Sequence, residues 1–184
     1  MAPPPARYEP AQVEARWIER WLESGVMRAD PASGRPPYSI AIPPPNVTGA
    51  LHMGHALNNT MQDTLIRWRR MGGDETMWIC GTDHAGIATQ VMVEKALAAE
   101  GTSRAEIGRD AFLARVWEWR ERYGGTIIGQ LERLGCTLDY SRERFTMDEG
   151  YARAVLEVFV DLHAKGLIYR DRYMVNWDPG LGSA

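Results

Sequence analysis

Between Pro10 and Glu23 the apolar residues Val13, Trp17, Ile18, Trp21 and Leu22 share one helical stripe, and Gly25 follows as a stop. The pattern predicts an amphipathic opening helix whose tryptophans pack into a core. Residues 27–37, rich in Pro, Gly and Asp, read as a linker. Alternation takes over in Tyr38-Ser39-Ile40-Ala41-Ile42, a short buried strand, which the prolines at 43–45 end because they supply no ladder donors. Leu57, Met61, Leu65, Ile66 and Trp68 return to helical spacing until Met71-Gly72-Gly73, so a helix is expected from near Gly54. Met77-Trp78-Ile79-Cys80 predicts a second buried strand, with residues 81–86 as its exit loop.

Strand, helix and strand in that order, with a connection this long, predict parallel strands and a right-handed crossover. That is the unit of a doubly wound, Rossmann-like α/β sheet, which binds ligands beyond the carboxyl ends of its strands. Loops 43–53 and 81–86 both leave from that edge. Downstream, a helix is expected from Ile87 to Ala99, followed by a capping box in Ser103-Arg104-Ala105-Glu106. A long helical region carries Phe112, Leu113, Val116, Trp117, Ile127, Ile128, Leu131 and Leu134, with a bend or break at Gly124-Gly125. Thr146-Met147-Asp148-Glu149 reads as a second capping box, opening a helix through Val155, Leu156, Val158, Phe159 and Leu162 to Gly166. Residues 167–177 read as one or two short strands around Asp171-Arg172.

The chemistry concentrates in the first loop. His52 and His55, three apart, lie on one side of a first helical turn, where unpaired backbone N–H groups and a partial positive charge favour phosphate. The same positive end disfavours imidazolium, so neutral rings are expected to donate one N–H each to phosphate oxygens. Gly54 between them would let a purine ring lie against the backbone. Two surface histidines, or half of a metal site, are the alternatives; the sequence completes no zinc-ligand spacing, and no metal is assigned. Asp83, where the second strand ends, could pair with a ligand's ammonium group or close an Asx turn before the next helix.

The 184 residues, 45% hydrophobic, suffice for one core. A formal charge of −3 argues against a broadly basic nucleic-acid face. Residues 1–7 show no leader-like apolar run, and two cysteines are too few for a disulfide framework. These features predict a soluble, cytoplasmic protein with Cys80 and Cys136 as core thiols. Among the basic residues only Lys95 and Lys165 are lysines. Arg67, Arg69 and Arg70, or Arg142 and Arg144, could meet RNA phosphates or serve as solvated ion-pair partners.

PPPNVTGALHMGHAL, followed by GTDHAGIATQ, GGTI, SRERFTMDEG and VNWDP, resembles the catalytic domain of class I aminoacyl-tRNA synthetases, specifically the valyl-tRNA synthetases. The resemblance implies ATP-dependent activation of valine and its transfer to tRNA(Val). By that match His52 and His55 are catalytic. Asn46, Thr48, His52, Gly54 and His55 bind ATP with its Mg2+, and Pro43, Pro44, Asn46 and Asp83 line the valine pocket. Pro45, Asn46, Val47, Thr48, Gly49, Ala50, Leu51, His52, Met53, Gly54 and His55 form the "HIGH" region. The valine carboxylate would attack the α-phosphate, and the terminal tRNA 2′-hydroxyl would then take the valyl group. Residues 1–37 become an amino-terminal helix and linker. Residues 38–184 become the amino-terminal half of a catalytic domain, stopping near the family's editing insertion.

The family's lysine-rich second ATP motif has no counterpart here, and Asp178 stands where some members carry a zinc-binding cysteine. A hydrophobic pocket cannot strongly exclude threonine, so fidelity would need the editing domain. The chain is therefore expected to hold half of an adenylating site, with the remaining half of the synthetase as its partner. A non-catalytic nucleotide-binding or interaction fragment, or a related adenylyltransferase of the same superfamily, is the alternative.

Overall fold

The structure, a computed structural model, describes residues 7–180 and 182–184; the expectation of no leader segment rests on residues 1–6, outside the described residues. Two compact units divide the chain, the first reaching to Met147 and the second starting at Asp148.

In the first unit, helix α1 (Pro10–Ser24) precedes strand β1 (Pro37–Ala41), helix α2 (Met53–Met71) and strand β2 (Glu75–Thr82). Helices α3 (Gly86–Ala99), α4 (Arg104–Ile107) and α5 (Arg109–Leu134) then lead to strand β3 (Asp139–Phe145). The strands form one parallel sheet in the order β1-β2-β3, with Tyr38 opposite Thr76 and Ala41 opposite Ile79. This is the α/β, Rossmann-like arrangement that the sequence predicts. β2 is central and buried along most of its length, as a parallel strand covered on both faces should be. Trp78, Cys80, Ile66, Ile127, Leu131, Cys136 and Leu138 make the main core around it. Ile42 and Val47, on either side of the proline run, belong to the same core, so the first loop is anchored at both ends.

Several expectations need correction. β3 was not foreseen: Asp139-Tyr140-Ser141-Arg142-Glu143-Arg144-Phe145 buries only its two ends, so it lacks an apolar alternation. α5 runs unbroken through Gly124-Gly125. Its glycines keep helical dihedrals, and burial of Phe112, Ile127 and Leu131 outweighs a propensity penalty of about 1 kcal/mol per glycine. Ser103 does cap a helix through Glu106 N, but it opens only the single turn of α4. The stripe on α2 is mostly exposed, with Leu57 at 67%, Met61 at 60% and Trp68 at 64%; Ile66 alone of the five is buried. In α1 no side chain is fully buried, and Trp21 lies half-covered under Arg67, whose guanidinium carbon is 4.7 Å from the ring.

The linker is tied down. Met27 is buried, Glu75 accepts from Asp30 N (3.0 Å) and pairs with Arg35, and Arg142 donates to Ala29 O (3.0 Å). The hydrogen bond from Asp30 N first, then one from the Ser33 hydroxyl, and after them Arg35, hold the Glu75 carboxyl below the usual range. The second unit contains helix α6 (Glu149–Ala164), capped by Asp148, whose Oδ1 accepts from Tyr151 N at 2.7 Å. Thr146 is therefore not the cap. The strands expected in residues 167–177 are absent, because a strand needs a ladder partner and none is present among the described residues.

Candidate functional site

The two exit loops meet at the carboxyl edge of the sheet. Past Ala41 the ladder is interrupted, since Pro43, Pro44 and Pro45 have no N–H. Pairing then resumes: Asp83 N donates to Pro45 O (2.8 Å) and Val47 N donates to Asp83 O (3.0 Å), making an isolated parallel bridge between Asn46 and Asp83. The first loop is also held by α5. Trp119 Nε1 donates to Val47 O (2.9 Å), and Leu51 N donates to Gln130 Oε1 (2.8 Å). These two side chains are about three helical turns apart and so project from one face.

A cleft of about 560 Å³ opens over the loop, lined by residues 43–46, 48–52, 55 and 58. It collects Pro43, Pro44, Pro45, Asn46, Thr48, Gly49, Ala50, Leu51, His52 and His55 from the candidate set. Val47 is buried in the core, Met53 is exposed, and Asp83 adjoins the cleft through its bridge to Asn46.

Met53 opens α2 with His52 as N-cap. His52 Nδ1 accepts from Gly54 N (3.1 Å), and His52 N donates to His55 Nδ1 (3.3 Å). The two imidazoles thus fill the roles of Ser and Glu in a reciprocal capping box. A ring nitrogen that accepts carries no proton, so both rings are held as Nε2–H tautomers with one outward donor each. Their centroids are 4.0 Å apart. Burial, and then the proximity of His52, push the His55 imidazole below its ordinary value of 6.5. Two neutral donors side by side suit an anion better than a metal cation.

Two details differ from expectation. The Gly54 N–H is already taken by His52 Nδ1, so the outward donors are the ring Nε2–H groups rather than that amide. The space over Gly54 holds the His52 ring: a Cβ there would lie 2.9 Å from His52 Cε1. Glycine is needed for the cap to fold back, a reason that the sequence did not disclose.

At Asp83 the Asx-turn reading is observed. Oδ1 accepts from Ala85 N (3.0 Å), an Asx turn, and from the Thr146 hydroxyl (3.0 Å). Oδ2 accepts no hydrogen bond among the described residues. Ala85 takes a left-handed φ of 49°, backbone strain of the kind that collects at binding sites. Thr146 Oγ1 also accepts from His84 N (2.9 Å) and lies 2.5 Å from His84 Nδ1.

Sequence reasoning missed Trp119, Gln130 and Thr146. The first two left a weak signal, two polar-tipped side chains at three-turn spacing on an otherwise apolar face. Thr146 was masked by its fit to a capping box. The arginines raised as RNA contacts are engaged internally. Arg67 pairs with Asp63 and donates to Gly135 O, Arg69 pairs with Asp74, Arg70 donates to Thr76 Oγ1, and Arg142 pairs with Asp139. Among the described residues no three His, Cys, Asp or Glu side chains gather as a metal-ligand set. No helix there is long and apolar enough to cross a membrane.

The sequence matches the family described as tRNA synthetases class I (I, L, M and V) over residues 16–184. It is 65% identical to a valine--tRNA ligase of Geobacter sulfurreducens over 177 residues, 96% of this chain and 20% of that protein. A valine--tRNA ligase of Syntrophotalea carbinolica is 63% identical over 180 residues, 98% of this chain and 20% of that protein. The chain thus spans about a fifth of the length of the curated relatives it matches. Its backbone is similar to that of LeuRS in the crystal structure of the Agrobacterium radiobacter K84 agnB2 LeuRS-tRNA-LeuAMS ternary complex. The TM-score is 0.77 at 27% identity, over 96% of this chain and 21% of that one. With a parallel sheet, a histidine-capped helix at its carboxyl edge and a family match over nearly all of its length, the chain belongs to the class I tRNA synthetases (I, L, M and V).

Proposed function

We propose that this chain carries the histidine half of a valine-activating site, within a valine–tRNA ligase that acts in the cytoplasm. Residues 38–184 would be the amino-terminal half of its catalytic domain, and residues 1–37 a helix and linker before it. One observation carries the reading: the Asn46–Asp83 bridge sets a carboxylate with an open oxygen beside a cleft that holds two neutral imidazole donors. The identity to valine--tRNA ligases supports valine as the amino acid.

The catalytic pair is His52 and His55, donating from Nε2–H to ATP phosphate oxygens; Asn46, Thr48 and Gly54 complete the nucleotide side. Mg2+ would arrive with ATP on its phosphates. Asp83 Oδ2 takes the valine ammonium, while Pro43, Pro44 and Asn46 wall the pocket. A valine carboxylate oxygen bonds to the α-phosphorus as the bond to the leaving pyrophosphate breaks. Negative charge grows on the non-bridging oxygens, and fixed neutral donors stabilise it without transferring a proton. The terminal 2′-hydroxyl of tRNA(Val) then attacks the valyl carbonyl, its proton passes to a phosphate oxygen, and the bond to AMP breaks as AMP leaves.

Lys95 on α3 and Lys165 after α6 are the only lysines, and neither lines the cleft. This favours ligand binding with little turnover by the chain alone. Calorimetry with valyl sulfamoyl adenosine, beside ATP–pyrophosphate exchange with valine and isoleucine, tests the reading. Binding of the valyl compound with weak exchange is expected. Exchange at the rate of an intact ligase contradicts the half-site, and stimulation by isoleucine alone refutes valine.

A further inference from the structure

We infer that Thr146 is a positioning residue for amino-acid recognition: its hydroxyl fixes the Asp83 carboxylate so that Oδ2 faces the ligand ammonium. The inference rests on the valine-site reading above and adds to it a residue from a different strand.

Thr146 follows directly on β3, and its N–H donates to Thr82 O (3.2 Å), which sets its backbone against the end of β2. Its Oγ1 has three neighbours: His84 N at 2.9 Å, His84 Nδ1 at 2.5 Å and Asp83 Oδ1 at 3.0 Å. A hydroxyl has one proton and two lone pairs. The backbone N–H of His84 fills one lone pair. The remaining pair and the proton must serve the imidazole and the carboxylate. An ionised carboxylate only accepts, so the hydroxyl proton goes to Asp83 Oδ1 and His84 donates from Nδ1–H to Oγ1. The reverse assignment would set two oxygens 3.0 Å apart with no hydrogen between them.

The consequence is positional. Asp83 Oδ1 receives Ala85 N–H from its own loop and Thr146 O–H from just past the neighbouring strand, two donors from separate elements, and His84 Nδ1 lies 3.3 Å from the same oxygen. Together they fix the carboxylate plane and leave Oδ2 as the oxygen for an incoming cation. His84 is itself held, since its carbonyl accepts from Thr89 Oγ1 (2.7 Å) and its ring stands edge-on to Phe145. Without the hydroxyl, the carboxylate keeps its charge but loses the donor that comes from outside its own loop.

Two probes separate this role from a general structural one: valyl sulfamoyl adenosine, and the isovaleryl counterpart that lacks only the ammonium group. In calorimetry with the full chain, Thr146→Val should weaken the valyl compound about tenfold or more and change the isovaleryl compound less than about twofold. Thr146→Ser, which keeps the hydroxyl, should restore the valyl affinity. Equal losses for both compounds, no loss for either, or failure of Ser to restore the affinity would overturn the assignment. A second readout does not depend on valine binding. Long-range 15N–1H NMR of His84 should show the Nδ1–H tautomer in the wild-type chain. If the chain binds neither compound, the valine reading fails and the tautomer decides: Nδ1–H supports the Thr146 assignment, whereas Nε2–H spends the hydroxyl proton on the imidazole and overturns it.

Discussion

Within the histidine pair, His55 is the side chain whose basicity its position lowers. Covered by neighbouring atoms and set against the His52 ring, it is a weaker base than an ordinary imidazole. The unfolded chain therefore takes up the proton first as pH falls. The contribution to stability is complete above about pH 6.5 and is lost as pH drops through the lower native value. In an NMR titration His55 should have its midpoint below 6.5, and His52→Ala should raise it by removing the repulsion and part of the cover. A midpoint unchanged by His52→Ala would show that the pair is not coupled. Protonated His55 could no longer accept from His52 N, so the cap should fail over the same pH range while the outward Nε2–H of His55 is kept. The spacing of His52 and His55 was legible in the sequence because helical geometry alone puts residues three apart on one side. Their reciprocal capping was not, since histidine is an uncommon cap and the role depends on ring orientation. Nothing in the sequence signals that a Cβ at Gly54 would strike an atom of the cap itself.

α5 is the scaffold element of the site. Trp119 and Gln130 hold the 43–53 loop from behind, one through a carbonyl and the other through an N–H. Gln130→Leu leaves the Leu51 N–H without its acceptor, a cost of about 1 kcal/mol. It should lower the melting temperature by roughly 2–4 °C and weaken valyl sulfamoyl adenosine binding severalfold. Unchanged affinity would remove α5 from the account. The helix also carries an untapped reserve. Gly124 and Gly125 have helical dihedrals, and a Cβ at either meets no atom within 4 Å. Gly124→Ala and Gly125→Ala should each stabilise the chain by about 0.5–1 kcal/mol, measured by urea unfolding. A loss of stability would mean that the pair is needed for some contact not made here. The strongest local signals, Pro10 at the start of α1, the proline run after β1 and the α1 stop at Gly25, marked element ends well because each acts through its own backbone. β3 escaped because its pairing with β2 is set by the tertiary fold, and its middle residues are polar and exposed. The stripe on α2 shows the converse: periodicity identified the helix, yet most of the stripe is exposed in this chain.

At the scale of the molecule, the unit reaching to Met147 brings two loops from adjacent strands together at one edge, and the corrections to individual elements do not move them apart. Parallel strands deliver their exits to the same edge, so the loop pairing followed from the strand–helix–strand order alone. Thr146 could not be inferred that way, since it depends on the unforeseen third strand. The integrity of the unit has a chemical readout. Cys80 and Cys136 are buried in its core, and burial pushes both thiols up to about 12. At pH 8 neither should react with iodoacetamide in the native chain, and both should become reactive at the urea midpoint that tryptophan fluorescence reports. Reaction of either in the folded chain would mean that the core opens locally.

The central claim, that His52 and His55 form a phosphate site through paired Nε2–H donors, is tested most directly by long-range 15N–1H NMR of the four histidines during titration with a non-hydrolysable ATP analogue. The geometry predicts Nε2–H tautomers at both residues before ligand, and shifts of both Nε2–H signals together on binding, while His163 on α6 stays still. Nδ1–H tautomers at the pair, or a saturable response at His163 with none at His52 and His55, would contradict it.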